Sequence, residues 1–551
     1  MSLTKVTYSM IVGKTVCPID YGAAGDGVTD DSAAVKAAME SGNVVDGAGA
    51  TYAINGSCSP TSLVGLQNAN FVQIGSNAAA NFQTINLVGL SNFFIDNVTI
   101  NMGSNISTLF SDDANSGLYV GGSAYNSYIE NFKISRVSVT GNGCGAGIQI
   151  RHAKKFTVEN CLVHDRISGS TPDPTNDSQN GLQFVNCEKF TVANCQVNNL
   201  QTRLGGVNTR KWTRGILMAE TRDCNLVACN VSSADQGIDF SGAYVAGTSF
   251  IGNRRFVVSD CVANDCFTYG FKFANVTRDG LVVGCIANNT GTMAFIFSPS
   301  NVALPVGLEK YNTQNIDVVG CKVVNVLGNG WSGSSAMGFR VAAGGTYADY
   351  PRGIRLKDCY VADTQDVPTT VDGFVSDVVL PSYSTTGYDT NIANTITNCA
   401  ADSTVTTFAN GISPNMALVT GNGTQSIPNN AWTLVEWNLN TYDDSYLHNI
   451  ASNNELIYPK TPGWYRVKAL IRFEANGTGQ RGVRITKNGA DVSRSTVLQP
   501  PSAGINTSIS TDIIEYFVPT NTIGIEVFQN SGGALNAQVN EGHFSIERID
   551  G

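Results

Sequence analysis

The sequence predicts an all-β chain. It reads as a right-handed parallel β-helix of about ten coils behind a short N-terminal capping helix, followed by an antiparallel β-sandwich. Three observations carry this. The pattern apolar-x-apolar-x-x-Cys recurs as "FTVENC", "FTVANC", "NLVAC", "FVVSDC", "LVVGC", "IDVVGC", "IRLKDC" and "TITNC", placing Cys161, Cys195, Cys229, Cys261, Cys285, Cys321, Cys359 and Cys399 at intervals of 34, 34, 32, 24, 36, 38 and 40 residues. A second pattern, Gly-apolar-x-apolar, sits between successive cysteines as "GLYV", "GIQI", "GLQF", "GILM", "GIDF", "GFKF", "AFIF", "GFRV" and "GFVS". After Cys399 the repeat stops and alternating strands resume without it.

Each repeat holds two short alternating strands joined by polar, Gly-rich turns, with room for a third. One unit cannot bury its own apolar face, whereas stacked units can. Val98 and Val137 occupy the cysteine slot in earlier units. The cysteines therefore read as a buried ladder of small apolar side chains, free rather than bridged, because cross-rung geometry is poor for a disulfide. Composition agrees: 57 glycines and only 14% charged residues suit strands and turns better than long helices.

The one good helix candidate is Ala33 to Met39 within "PIDYGAAGDGVTDDSAAVKAAME", with Asp30, Asp31 and Ser32 as caps. An amphipathic helix there would plug the open end of the β-helix. The boundaries predicted are residues 1–80 for the neck and cap, 81–410 for the β-helix, 411–430 for a linker and 431–551 for the sandwich, in which "KNGAD" marks a hairpin.

Some partners are excluded. A net charge of −10 gives no basic face for nucleic acid. No 18-residue apolar run is present, so membrane insertion is not expected, and the first residues lack a signal-peptide core. The four histidines are scattered and no C-x-x-C occurs, so neither a metal nor another cofactor is expected.

The stretch "DYGAAGDGVTDDSAAVKAAM" closely resembles the start of the pectate-lyase-like superfamily of β-helical polysaccharide enzymes, and the preceding "KVTYSMI" resembles the lead-in to that motif in bacteriophage tailspikes. "PGWYRVKALIRFE", "ITKNG" and "FSIERI" are similar to complement-type and tumour-necrosis-factor-like jelly rolls, a trimeric family. The resemblance implies a homotrimeric tailspike on the virion that degrades a bacterial capsular or O-antigen polysaccharide. Its attachment to the phage tail would use a missing or very short N-terminal segment. The C-terminal domain would trimerise the chain or bind carbohydrate. No catalytic residue carries over, because the Asn-Thr-Asp, Asp-Asp and Gly-His-Gly signatures of polygalacturonase-like members are missing.

Candidate chemistry therefore comes from the pattern. The x positions of the Gly-apolar-x-apolar strands should face outward: Tyr119, Gln149, Gln183, Leu217, Asp239, Lys272, Ile296, Arg340 and Val375. Asp239 is the one carboxylate in that column. Its short turn lies among long ones, which predicts a groove. Asp235 at the strand entrance, Glu220 one coil up and Asp265 one coil down are its possible partners, since a glycosidase needs two carboxyl groups roughly 5–9.5 Å apart. Arg214, Lys272, Tyr269 and Arg340 flank them, and Trp212 and Trp331 offer sugar-stacking faces. A lyase would instead use Arg214, Lys272, Tyr269, Arg340 or His152. A receptor-binding spike without catalysis is the third reading.

Overall fold

The computed structural model describes residues 15–75, 83–103, 116–125, 127–143, 145–168, 179–204, 207–209, 213–241, 252–298, 313–328, 336–342, 351–362, 371–376, 395–397, 399–401, 405–406, 416–443, 447–450, 452–459 and 463–549. The chain divides into two units, Met1–Gly373 with Ala400–Thr407, and Phe374–Cys399 with Phe408–Gly551.

The first unit is a parallel β-helix with three strands per coil. One face stacks Ser116–Gly121 on Ile148–Arg151, Leu182–Val185, Thr213–Ala219, Gln236–Ser241, Tyr269–Ala274, Met293–Phe297 and Ala336–Val341. A second face, made by the strand before each cysteine, stacks Arg222–Val227 on Arg254–Ser259, Arg278–Val283, Gln314–Val319 and Arg352–Lys357. The third, just after the cysteine, is the strand the sequence left room for: Asn230–Ser232, Val262–Asn264, Ile286–Thr290 and Lys322–Val326. Inside, like stacks on like. Phe271, Phe295 and Phe339 lie with ring centroids 4.6 and 4.7 Å apart, close to the rung spacing of about 4.8 Å.

The cysteines form the expected ladder, since the residue following each one pairs with the residue following the next. Every described cysteine is a free thiol, and those from Cys161 to Cys359 in the ladder are buried. The Cys195 thiol donates to the Ala193 carbonyl at 3.4 Å. The preceding residue explains the motif. Asn160, Asn194, Ala228, Asp260, Gly284, Gly320 and Asp358 all have φ between 51° and 64°. Asn, Asp and Gly tolerate this left-handed bend, which turns the chain from the second face to the third. The motif glycine has a packing reason: a Cβ on Gly215 would sit 2.2 Å from Val231 and 2.6 Å from the Gly237 carbonyl one coil away.

At the N-terminus the helix Ser32–Met39 buries Val35, Ala38 and Met39. Its capping differs from expectation. Asp30 Oδ1 accepts from the Ser32 amide, while the buried Asp31 carboxylate accepts from the amides of Ala24 and Gly25 at 2.6 and 3.2 Å and so ties down the preceding glycine turn. The boundary at residue 81 also moves. Thr15–Val16, Val44–Asp46, Gly65–Gln73 and Phe94–Asn101 already pair in parallel, so the first coils lie within the predicted neck.

The second unit is an antiparallel sandwich. One sheet holds Gln425–Ile427, Leu535–Ala537, Gly463–Phe473, His543–Arg548, Met416–Thr420, Leu439–Asp443 and Thr507–Phe517. The other holds Thr433–Leu434, Ile523–Gln529, Arg481–Lys487, Ala490–Asp491, Leu456–Ile457 and Val497–Gln499. Trp437, Tyr465, Phe473, Phe517 and Phe544 fill the space between. The Lys487–Ala490 hairpin turns through Asn488 and Gly489 at φ 54° and 77°, as "KNGAD" predicts. Within the stretch read as a linker, Met416–Thr420 and Gln425–Ile427 are instead strands of the first sheet, drawn in by the alternation in "MALVT", and residues 411–415 lie outside the described residues.

Candidate functional site

Register puts Asp239 beside Leu217 on one side and Lys272 on the other, with Ile296 and Arg340 on the next two rungs. These side chains lie on the opposite side of the sheet from the stacked core. They do not, however, line an open groove. Gln149, Gln183, Leu217, Asp239 and Ile296 are all buried, and Asp239 is fully inaccessible. The Asp239 carboxylate forms ion pairs with Arg214 Nε at 3.1 Å and Lys272 Nζ at 3.4 Å and accepts from the Ser241 hydroxyl. Lys272 also reaches Gln236 Oε1 at 3.3 Å and stands 5.9 Å from the Tyr269 ring centre. Burial holds the Lys272 amine below its usual range and lifts the Tyr269 phenol. Arg340 Nη1 lies 3.7 Å from Met293 Sδ.

The four predicted carboxylates are not gathered into one pair. Asp235 is buried and accepts from the Thr268 hydroxyl. Asp235 ends a bend at residues 233–235, and Gln236–Ser241 is a regular strand. Asp265 belongs to a turn ladder: at φ 49° it accepts from the Asn289 amide at 3.1 Å, one rung along. Asp165 does the same with Asn199 at 2.7 Å, which makes His164–Asp165 turn chemistry too. The predicted groove walls fall largely outside the described residues, as do Trp212 and Trp331.

Glu220 stands apart. It lies three residues past Leu217, beyond the end of the strand Thr213–Ala219, at φ 57° in the turn leading to the second face. It is only 3% exposed, yet among the described residues no cation pairs with it within 4 Å; its Oε2 accepts from the Tyr125 hydroxyl at 3.3 Å. Burial pushes its carboxyl up to about 7, against the weaker pull of Tyr125, Arg151 and Arg222. The same turn position one and two coils up holds Asn186 and His152. Asn186 Nδ2 meets His152 Nδ1 at 3.0 Å, and the Tyr128 hydroxyl donates to Asn186 Oδ1 at 2.7 Å. Tyr125 packs edge-on against the His152 ring at 5.6 Å. Burial raises both tyrosines, Tyr125 to about 12.

This arrangement provides a carboxyl group that is part protonated at neutral pH, ringed by partly exposed Tyr125, Tyr128, His152, Arg151 and Arg222. It can give a proton to a leaving oxygen. Sequence reasoning named Glu220 and His152 separately and missed the others. A signal was present: the residue two places after each "GIQI", "GLQF" and "GILM" reads His152, Asn186, Glu220. Among the described residues no three His, Cys, Asp or Glu side chains converge as metal ligands. No described helix is long and apolar enough to cross a membrane.

A family model described as "Right handed beta helix region" matches residues 116–336. No curated protein matches the sequence. Solved structures similar to the chain include the Azotobacter vinelandii mannuronan C-5 epimerase AlgE6 A-module, at 12% identity and TM-score 0.47 over 70% of this chain and 99% of that one. Geobacillus virus E2 ORF18 is similar at 11% identity and TM-score 0.38, over 91% and 76% of the two chains. The globular domain of zebrafish complement 1qA is similar at 15% identity and TM-score 0.20, over 24% of this chain and 97% of that one.

Proposed function

We propose that the protein is a bacteriophage tailspike depolymerase that binds a bacterial surface polysaccharide and hydrolyses its glycosidic bonds. The observation that carries the reading is Glu220: a carboxyl raised to about 7 by burial, at a turn lined with polar and aromatic side chains, is poised as a general acid. Glu220 protonates the departing glycosidic oxygen. Tyr125 orients it, and His152, steadied by Asn186, is the neighbouring group available to activate water. Asp239 serves as the anionic centre of a buried charge cluster that fixes the strands beside this turn, instead of as a catalytic acid. The sandwich acts as the trimerisation module, and the trimer is carried on the virion.

Elimination is a second reading, favoured by the groups around Glu220. Arg151, Arg222, Tyr125 and His152 are the kinds of side chain that neutralise a substrate carboxylate and take a carbon-bound proton. The test is mass spectrometry of products from a panel of capsular and O-antigen polysaccharides, with wild type, Glu220→Gln and Asp239→Asn. Oligosaccharides of repeat-unit mass plus water, lost in Glu220→Gln, are expected. Products lacking that water and absorbing in the ultraviolet mean elimination. Undiminished cleavage by Glu220→Gln sinks the assignment of the acid, and no cleavage by wild type across the panel sinks the enzyme.

A further inference from the structure

Behind Glu220, the corner between the first and second faces changes character along the β-helix. One column of residues lines it from coil to coil, in the order Ile129, Ala153, Cys187, Thr221, Asn253, Thr277 and Thr313. Backbone bonds hold its polar part in register: the Arg254 amide donates to the Thr221 carbonyl, Arg278 to Asn253 and Gln314 to Thr277, at 2.9, 2.9 and 3.0 Å. The first three residues are apolar and the last four polar, yet all seven are buried, and Thr221, Asn253, Thr277 and Thr313 are fully inaccessible. The apolar three show that the corner does not require polar groups, and a buried polar group is unfavourable unless it is bonded. The change falls at Thr221, the residue next to Glu220.

Asn253 is the pivot of the polar part. Its Oδ1 accepts from the Thr221 amide at 2.8 Å and from the Thr221 hydroxyl at 2.9 Å. Its Nδ2 donates to the Met218 carbonyl at 3.0 Å and to the Thr277 hydroxyl at 3.3 Å. A side-chain amide has two acceptor and two donor positions, and all four are used. Met218 lies two residues before Glu220 and Thr221 one after, so a single planar group grips the backbone on both sides of the acid. Its neighbours in the column bond to carbonyls: the Thr277 hydroxyl to Phe240 and Ala274 at 2.9 and 2.7 Å, and the Cys187 thiol to Ile150 and Val185 at 3.5 Å. The grip matters because Glu220 stands at φ 57°. One and two coils up, the same position holds Asn186 and His152 at φ 50° and 51°, residue types enriched in that left-handed bend. Glutamate is not suited to it. The column thus supplies an outside hold at the coil where the bend carries a residue that does not favour it.

We propose that Asn253 is a positioning residue for Glu220: its amide holds residues 218–221 in place around a glutamate that would otherwise leave the left-handed bend, and so keeps the carboxyl buried against Tyr125. Asn253 lies one coil on, inside the core, and acts only through the backbone it grips. The inference rests on the reading of Glu220 as the general acid and adds the group that sets its placement. Without the grip the bend relaxes, water reaches the carboxyl, and its proton is released at lower pH.

The experiment is carbodiimide labelling of carboxyl groups in the full chain, read by mass spectrometry of tryptic peptides. Cleavage after Arg214 and Arg222 releases residues 215–222, in which Glu220 is the single carboxyl side chain, so access to the acid is measured without any substrate. Wild type, Asn253→Leu, Asn253→Thr and Thr313→Val are compared, each checked by thermal unfolding. Asn253→Thr keeps a hydroxyl of the kind Thr277 offers its neighbouring carbonyls, and lacks the amide that reaches both sides of Glu220. It carries the test if Asn253→Leu does not fold. Labelling of Glu220 is expected to rise about tenfold or more in the Asn253 variants, the effect of losing one or two buried hydrogen bonds. It should stay at the wild-type rate in Thr313→Val, two rungs further along the same buried column. In a cleavage assay the alkaline limb, set by loss of the Glu220 proton, should retreat to lower pH in Asn253→Thr and stand still in Thr313→Val. A wild-type labelling rate in folded Asn253→Thr, or an equal rise in Thr313→Val, would overturn the proposal. Labelling that follows Asn253 while wild type cleaves no polysaccharide would uphold the placement of the carboxyl and remove the depolymerase. Cleavage lost in Glu220→Gln, with labelling indifferent to Asn253, would refute the positioning and leave the acid standing.

Discussion

Asp239 and Glu220 are both buried carboxyl groups, one coil apart, and they live opposite lives. Asp239 sits between Arg214 and Lys272 with the Ser241 hydroxyl donating to it. Glu220 has the Tyr125 hydroxyl and, among the described residues, no cation within ion-pair distance. Burial alone disfavours the charged form; paired cations favour it. One carboxylate is therefore tied into a buried cluster with two cations, and the other, raised to about 7, keeps a proton it can give away. What distinguishes a site from a brace here is which carboxyl the fold declines to neutralise.

The largest test of that contrast is Asp239→Asn. It leaves two cations in a buried cluster without their anion, and breaking such a pair from one side costs about 3–5 kcal/mol. Equilibrium unfolding in denaturant should show that loss. A cost under about 1 kcal/mol would mean the cluster is solvated after all, and the comparison would fail on its structural side.

Glu220→Gln should do the opposite. In the folded chain the carboxyl titrates at about 7 instead of its ordinary 4.5. The folded state binds the proton more tightly, so its contribution to stability is fully present below about pH 4.5 and is lost as pH rises to about 7. The difference of 2.5 units amounts to about 3 kcal/mol at most. At pH 8 the glutamine variant should therefore be more stable than wild type by up to that amount, and at pH 4 nearly equal to it. Thermal unfolding at both values reads this directly. Equal stability at pH 8 would mean Glu220 ionises without penalty and is no better an acid than a surface carboxylate.

The same distinction marks what the sequence could tell. The coils were legible because stacking forces like residues onto like positions, so the cysteines and the glycine motif repeat at fixed places. The left-handed bend was legible in hindsight, in the Asn, Asp or Gly that usually precedes the cysteine. Asp239 was found because it is the single carboxylate in its column. Its burial was not legible, because alternation along a strand says which side of the sheet a residue occupies and not whether that side meets water. Tyr125 was invisible for another reason. It lies 95 residues from Glu220 and belongs to no repeated motif, so only the stacking of coils brings them together.

Tyr125→Phe is the smallest and finest probe of the comparison. It removes the 3.3 Å hydrogen bond to Glu220 Oε2 and nothing from the Asp239 cluster. A single hydrogen bond of this kind contributes about 1 kcal/mol. The Tyr125 bond lowers the Glu220 pKa, so its loss should move the carboxyl further upward. The alkaline limb of a cleavage assay, set by loss of the Glu220 proton, should then extend to higher pH in Tyr125→Phe, while stability near pH 4 changes little. A fall in rate with the pH profile unmoved would mean that Tyr125 acts on the substrate instead of on Glu220. A profile shifted downward would mean that another group, and not this buried carboxyl, sets the titration.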